Sequence, residues 1–164
     1  MPFEKDIRIK IRSERYEVSA SLFSDEDNEG ALTLRAPDAD DAPEIIEINT
    51  VGRLTDNGDR IEISYDESEA TGMEGSKTVV SFLHSDSGIV SMSRSGMVSA
   101  ILTFEAGKRH HCVYKTPYMP FEICVRTLKV ANLLMTFGTL DLDYVIEIRG
   151  ARAERTKFRM QILK

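Results

Sequence analysis

The sequence predicts an all-β fold, in which an antiparallel up-and-down meander closes into a barrel of about eight to ten strands. Apolar and polar residues alternate along most of the chain in segments of strand length, which is the pattern of a sheet with one buried face. Turns that contain glycine separate these segments at short intervals. The first and last segments are both clearly patterned, so we expect them to pair and remove the exposed sheet edges.

The two ends of the chain show the clearest alternation. In residues 6 to 20, Ile7, Ile9 and Ile11 alternate with basic residues, and in residues 156 to 163 Phe158 and its apolar neighbours do the same. We interpret the basic face of the first strand as its solvated side, because surface strands commonly carry charges on the face that points to water.

The strongest turn signal is Asn57-Gly58, between strands at residues 45 to 54 and 61 to 67. Asn-Gly favours a type I′ turn, whose two central residues both have positive φ. With these two residues as the loop, Leu54 lies opposite Ile61, and Ile61, Ile63 and Tyr65 share one face.

The middle of the chain continues the meander. Taking Ser95-Gly96 as a hairpin loop places Arg94 opposite Met97. The segment from 130 to 135 fits either a helix or a strand with a bulge near Asn132. The remaining strands are predicted at residues 77 to 83, 89 to 94, 97 to 104, 108 to 115, 121 to 129 and 140 to 148.

The length of 164 residues favours a single domain spanning residues 1 to 164, interrupted by an acidic loop insertion at about 24 to 44. Within that insertion, Asp25, Asp27, Glu29 and Gly30 have the spacing of a calcium loop, but its last ligand position holds Ala36. We therefore interpret the insertion as a solvated loop.

The formal net charge of −6 argues against binding to nucleic acid or to an anionic membrane surface, both of which need clustered basic residues. The first residues contain no apolar run of the kind that signal peptides or membrane spans have, so we expect a cytoplasmic protein.

Four residues are candidates for ligand binding: Tyr65, Glu67, Arg94 and Tyr114. Arg94 continues the inward phase of Val90 and Met92, and its planar fork suits a carboxylate, either that of Glu67 or one on a ligand. Its long stem also allows it to reach water at the rim.

Tyr65 and Glu67 stand where a strand enters a glycine-containing connector, the usual position for residues at the mouth of a barrel. Both residues also have a structural alternative. Tyr65 would be a core residue whose hydroxyl group is exposed to water, and Glu67 would belong to a solvated acidic loop with Asp66 and Glu69.

His110, His111 and Cys112 suggest metal ligands, but alternation along a strand turns His111 away from the other two. Cys112 and Cys124 are opposite each other in one hairpin register. Shifted by one residue, the register places Cys112 and Tyr114 among the apolar residues of the next strand, which we prefer. We expect reduced thiols, no metal or other cofactor, and no catalytic residue.

A set of short motifs is spread along the chain: Tyr65-Asp66-Glu67, Thr71-Gly72, residues 92 to 96 (MSRSG), Tyr114, Thr116, Phe137-Gly138 and Tyr144. In these motifs the sequence resembles the bacterial YwiB-like family of calycin-like, or lipocalin-like, β-barrel proteins of unknown function. The resemblance covers roughly residues 44 to 163, and implies a lipocalin-like barrel and a bacterial intracellular setting, but no activity.

A barrel of this size can enclose one small ligand, so we expect a protein that binds an apolar or amphiphilic small molecule in its interior. The residues at the connector of 66 to 76 would then mark the entrance. A structural or protein-interaction module, using the outer faces or the acidic loop, is the alternative hypothesis. An enzyme with a site in the barrel mouth is the third.

Overall fold

In the computed structural model, the described residues 3–18, 43–67, 75–96, 99–148 and 153–163 form ten antiparallel strands and no helix. The acidic insertion up to residue 42 lies outside the described residues, and so do Thr71 and Gly72. The strands are β1 (Phe3–Val18), β2 (Glu44–Asp56), β3 (Arg60–Asp66), β4 (Lys77–Leu83), β5 (Asp86–Ser95), β6 (Ala100–Glu105), β7 (Arg109–Lys115), β8 (Pro120–Leu133), β9 (Thr139–Ile148) and β10 (Ala153–Leu163).

The strands form one sheet that curls into a nearly closed barrel. Its order is β6-β5-β4-β3-β2-β1-β10-β9-β8-β7, so strands that are consecutive in sequence pair with each other except β6 and β7, and the first strand pairs with the last from Arg8 to Val18. This pairing confirms the predicted closure of the barrel through its two terminal strands.

The barrel is incompletely closed between β6 and β7. Ser99 and Lys115 exchange two backbone hydrogen bonds of 2.9 Å at one end of this seam. At its other end, the turn that joins the two strands is tied to β8, where Thr127 N donates to Lys108 O at 3.1 Å. β6 and β7 have no ladder between these two points.

The core lies inside the barrel and is made by the apolar phase of nearly every strand. Ile9, Ile61, Met92, Leu140 and Met160 are among its fully enclosed side chains. The residues of opposite phase on β1 are charged and exposed or half-buried, and they pair with neighbouring strands. Lys10 Nζ, for example, lies 2.9 Å from Glu47 Oε1. The predicted orientation of the first strand is therefore confirmed.

The β2–β3 turn is one residue further along than predicted. Leu54 pairs with Ile63 rather than with Ile61, and the central residues of the turn are Gly58 and Asp59. Only Gly58 has positive φ, which fits type II′ and not type I′. The Asn57 side chain fixes this arrangement, because its Oδ1 accepts hydrogen bonds from the Asp59 and Arg60 amides. Ile61, Ile63 and Tyr65 still share the inner face.

The predicted β5–β6 hairpin is wrong in register as well. Arg94 pairs with Ala100 rather than with Met97, so the connector spans residues 95 to 99. Two contacts outside the hairpin account for its length. Gly96 packs against the backbone of Ser76, and Ser99 bonds to β7 instead of β5.

Residues 130 to 133 continue β8 as a strand, which decides between the two predicted structures. The irregularity in this strand lies between Thr127 and Lys129 and not near Asn132. Cys112 pairs with Ile123, as in the preferred register, and both cysteines are free thiols.

Candidate functional site

Polar residues gather inside the barrel at the end where the odd-numbered strands finish. There the inward apolar phase of each strand gives way to hydroxyl, phenol or charged side chains. On β1, for example, the phase of Ile9 and Ile11 continues as Ser13 and Arg15. The polar residues in this phase are Ser13, Arg15, Tyr65, Glu67, Thr78, Arg94, Tyr114, Tyr144, Glu154 and Thr156.

A cavity of about 220 Å³ opens among these residues. Arg94, Tyr114, Tyr144 and other polar groups form one part of its wall, and apolar side chains form the other. The complete lining is Ser13, Arg15, Arg94, Tyr114, Ile123, Tyr144, Ile146, Glu154, Thr156 and Phe158. The wall is therefore amphiphilic, with cationic, phenolic and aliphatic surfaces in one enclosure.

Arg94 lies at the centre of the polar part. Its Nη2 donates a 3.7 Å hydrogen bond to the Met92 sulfur, and its Nε is shielded from solvent and has no hydrogen-bond partner among the described residues. Burial opposes the charged form of this group. The neighbouring Tyr144, Tyr65 and Tyr114, together with the carboxylate of Glu67, outweigh burial and raise the pKa of Arg94 above its ordinary value. The guanidinium group is therefore charged at every physiological pH.

Glu67 is buried, with 6% of its surface exposed, although a solvated acidic loop was expected. Its Oε1 accepts a 2.6 Å hydrogen bond from Thr78 Oγ1, while Oε2 has no hydrogen-bond partner among the described residues. No ion pair within 4 Å joins Glu67 to Arg94 in the described structure. Asp66 is exposed as predicted, and Glu69 lies outside the described residues.

Tyr65 and Tyr144 are core residues. Tyr65 is 4% exposed, which agrees with the core position given as its alternative, and it pairs across the sheet with Thr78. Burial, reinforced by the charge of Glu67, raises the pKa of Tyr65, and burial raises the pKa of Tyr144. Both phenols therefore keep their proton at neutral pH and can donate hydrogen bonds.

Arg94 and Tyr114 both line the cavity. Tyr65 on β3 and Glu67, just after the end of that strand, lie next to it but are not part of its lining. Sequence reasoning missed Ser13, Tyr144 and Thr156. Each of them continues the inward phase of its strand, so extending the alternation to the end of every strand would have found them. Arg15 Nε lies 3.7 Å from Glu154 Oε1, and this ion pair joins two segments that are distant in the sequence. No alternation pattern in the sequence predicts it.

Arg94 also lines a second depression, which lies at the β6–β7 seam. A groove of about 470 Å³ runs along the seam, and its wall includes Arg94, Ala100, Ile101, Cys112 and Val113. Arg94 thus stands between the interior cavity and the gap in the barrel wall.

The described residues contain no group of three or more histidine, cysteine, aspartate or glutamate side chains that is arranged to hold a metal ion. His110 Nε2 instead lies 3.3 Å from Glu105 Oε1. Nor does the described part of the chain include any helix long and apolar enough to span a membrane.

The described strands define a nearly closed up-and-down β-barrel, which is consistent with a calycin-like fold. The chain belongs to the family described as a domain of unknown function (DUF1934), which matches residues 33–160. The crystal structure of the YwiB protein from Bacillus subtilis is similar to this chain, with a TM-score of 0.65 and 18% sequence identity over 97% of this chain and 94% of that one. This similarity shows a shared fold, and together with the family match it confirms the predicted resemblance to a β-barrel family of unknown function. None of the curated proteins matches the chain.

Proposed function

We propose that this protein binds a small amphiphilic molecule inside the barrel. The observation that carries the proposal is the interior cavity beside Arg94, whose Nε has no hydrogen-bond partner among the described residues. Buried donors are normally paired, and small-molecule sites are concave, mostly apolar and supplied with a few polar groups that orient the ligand. The aliphatic wall and the arginine of this cavity meet that description.

Native mass spectrometry of protein purified from cell extract tests the proposal. We expect a fraction of the protein to carry one small molecule that is released on unfolding. A variant that fills the cavity, Ser13→Leu, should lose this molecule. Ser13 lines the cavity, whereas Glu62 lies exposed on β3, so Glu62→Leu is the matched control and should retain the molecule.

Bare protein in every preparation, together with no thermal stabilisation by any member of a library of amphiphilic compounds, would contradict the proposal. Retention of the molecule by Ser13→Leu would place its site elsewhere and contradict the proposal as well.

The proposal includes a bacterial, cytoplasmic setting. Its support is the free state of Cys112 and Cys124, because thiols persist in reducing compartments. Fractionation of cells that express the tagged protein at native level tests it. Recovery from the cytoplasmic fraction is the expected result, and recovery outside the cytoplasm would contradict it.

A further inference from the structure

We infer that the ligand of the interior cavity is a small monocarboxylate, whose carboxylate group pairs with Arg94. This inference rests on the proposed function and adds the chemical class of the ligand. Three observations carry it: the unsatisfied hydrogen-bonding capacity of Arg94, the charge balance of the cavity, and the size and shape of its apolar part.

Arg94 has more hydrogen-bond donors than its partners among the described residues use. A guanidinium group has five N–H donors in a planar fork, and the side-chain partner of Arg94 is the sulfur of Met92, a weak acceptor at 3.7 Å. Its Nε is enclosed and has no hydrogen-bond partner among the described residues. The fork matches the two oxygens of a carboxylate, which it can bind through two parallel hydrogen bonds.

The other charged groups of the cavity wall compensate each other. Arg15 and Glu154 form an ion pair of 3.7 Å, so they contribute no net charge. Arg94 is then the one charge in the cavity wall without an ion-pair partner among the described residues; Glu67 acts on it electrostatically but lies outside the cavity lining and beyond ion-pair distance. A ligand with one carboxylate can pair with Arg94 at the cost of one added negative charge, whereas a phosphate group, with about −1.5 to −2 at neutral pH, would add more negative charge beside Glu67.

The apolar part of the wall sets the body of the ligand. Ile123, Ile146 and Phe158 are the apolar residues that line the cavity, and they offer surface to a short aliphatic or aromatic body. The volume of about 220 Å³ lies below the range of about 300 to 1,000 Å³ that is usual for sites of drug-sized ligands. The ligand is therefore short, and long-chain lipids are too large for the cavity.

Isothermal titration calorimetry with hexanoate, hexanamide and hexylamine tests the class, because the three probes share a body and differ in the headgroup. We expect hexanoate to bind at least about tenfold more tightly than either of the others. Arg94→Met should weaken hexanoate by at least about tenfold and leave hexanamide unchanged. Arg94→Lys should restore part of the affinity, because lysine keeps the charge but not the fork.

The control variant is Arg60→Met, at an exposed position beside the β2–β3 turn, and it should bind hexanoate like the unchanged protein. Circular dichroism and a thermal melt establish that each variant is folded. Equal affinity for hexanoate and hexanamide, or full hexanoate affinity in Arg94→Met, would overturn the monocarboxylate class while leaving the binding of an amphiphile intact.

If none of the three probes binds, the molecule detected by native mass spectrometry tests the inferred ligand class. Tandem mass spectrometry that identifies one carboxylate on this molecule supports the inference, and a molecule without a carboxylate overturns it. If no molecule is found either, the proposed function fails together with the inference.

Discussion

Arg94 places a guanidinium group inside the barrel beside a sulfur acceptor and three tyrosine rings. Arg94 is half-buried, with its Nε shielded from solvent, and a charge that is partly withdrawn from water is held at a cost in stability unless it has well-matched partners. The Met92 sulfur is a poor match, and Glu67 lies beyond ion-pair distance. We therefore attribute the arginine at this position to ligand binding rather than to stabilisation of the fold.

The double variant Arg94→Met/Glu67→Gln tests this explanation. It removes both buried charges and retains the volume of the side chains and the Thr78 hydrogen bond to Oε1 of residue 67. We expect its free energy of unfolding to exceed that of the ligand-free protein by about 1 to 2 kcal/mol. Chemical denaturation of both proteins, with the two single variants, measures the effect and the coupling between the sites. A loss of stability in the double variant would show that the two charges support the fold.

The backbone conformation at position 96 and the atoms around it both favour glycine over any other residue. Its φ is +133°, and a Cβ atom at this position would lie 2.8 Å from the Ser76 Cα, in backbone that cannot move away. We expect Gly96→Ala to lower the free energy of unfolding by about 3 kcal/mol, from strain and overpacking together. Gly107 is the matched control. It also has positive φ, but has open space around it, so Gly107→Ala should cost only about 1 kcal/mol. Equal losses in urea denaturation would contradict the role of the Ser76 contact.

Asp56 makes the stability depend on pH. Its hydrogen bonds with His84 and with the Gly58 amide, both 2.9 Å, lower the pKa of its carboxyl group below the ordinary value of 3.8. The folded pKa is below the unfolded one, so this stabilisation is present above the unfolded pKa and is lost as pH falls through the folded pKa. We expect the thermal midpoint to fall as the solution is acidified below about pH 4. In Asp56→Asn the acid-dependent fall should be smaller, and an unchanged pH profile would contradict this assignment.

At the scale of the elements, alternation predicted nearly all the strands, because the fold buries one face of each. It predicted the register less well. At Asn57 the side chain, and not the Asn-Gly pair as such, decides which two residues are central in the turn. After Arg94 the hairpin is lengthened by contacts of Gly96 with Ser76, the residue before β4, and of Ser99 with β7. Contacts between distant segments leave no local pattern, so the sequence does not reveal them.

The seam between β6 and β7 should be the least protected part of the barrel wall. β1 has a hydrogen-bonded neighbour on each side from Arg8 to Arg15, whereas the facing edges of β6 and β7 lack a ladder between their two ends. We expect backbone amides of β6 and β7 to exchange with deuterium much faster than those of β1. Mass spectrometry of peptides from exchanged protein gives the rates. Equal protection of β1, β6 and β7 would mean that the barrel is closed in solution.

Hexanoate is expected to slow exchange in β5 and in the seam, because Arg94 lines both the interior cavity and the seam groove. In Arg94→Met, hexanoate should have no such effect. Slowing that is confined to strands remote from Arg94 would contradict this placement of the ligand.

At the scale of the whole molecule, the same alternation that predicts the barrel also indicates its polar end. Inward phases that begin with isoleucine, leucine or valine end with Ser13, Tyr65, Arg94 or Tyr144, and the antiparallel order brings these ends together. Arg94, Tyr65, Glu67 and Tyr114 could thus be predicted as neighbours. The cavity itself depends on how side chains of ten strands fill the interior, and no residue pattern specifies that volume.

The acidic insertion separates the binding hypothesis from the interaction hypothesis. Arg15 on β1 pairs with Glu44 on β2, so the two strands already meet where the insertion leaves and rejoins the barrel. A short Gly-Ser linker in place of residues 24 to 41 can therefore connect them, and loop length changes stability only weakly. We expect this variant to keep its thermal midpoint within a few degrees and to bind hexanoate with unchanged affinity. Loss of a captured protein partner, with hexanoate binding intact, would assign a separate interaction role to the insertion. Loss of hexanoate binding in a folded variant would show that the insertion takes part in the interior site.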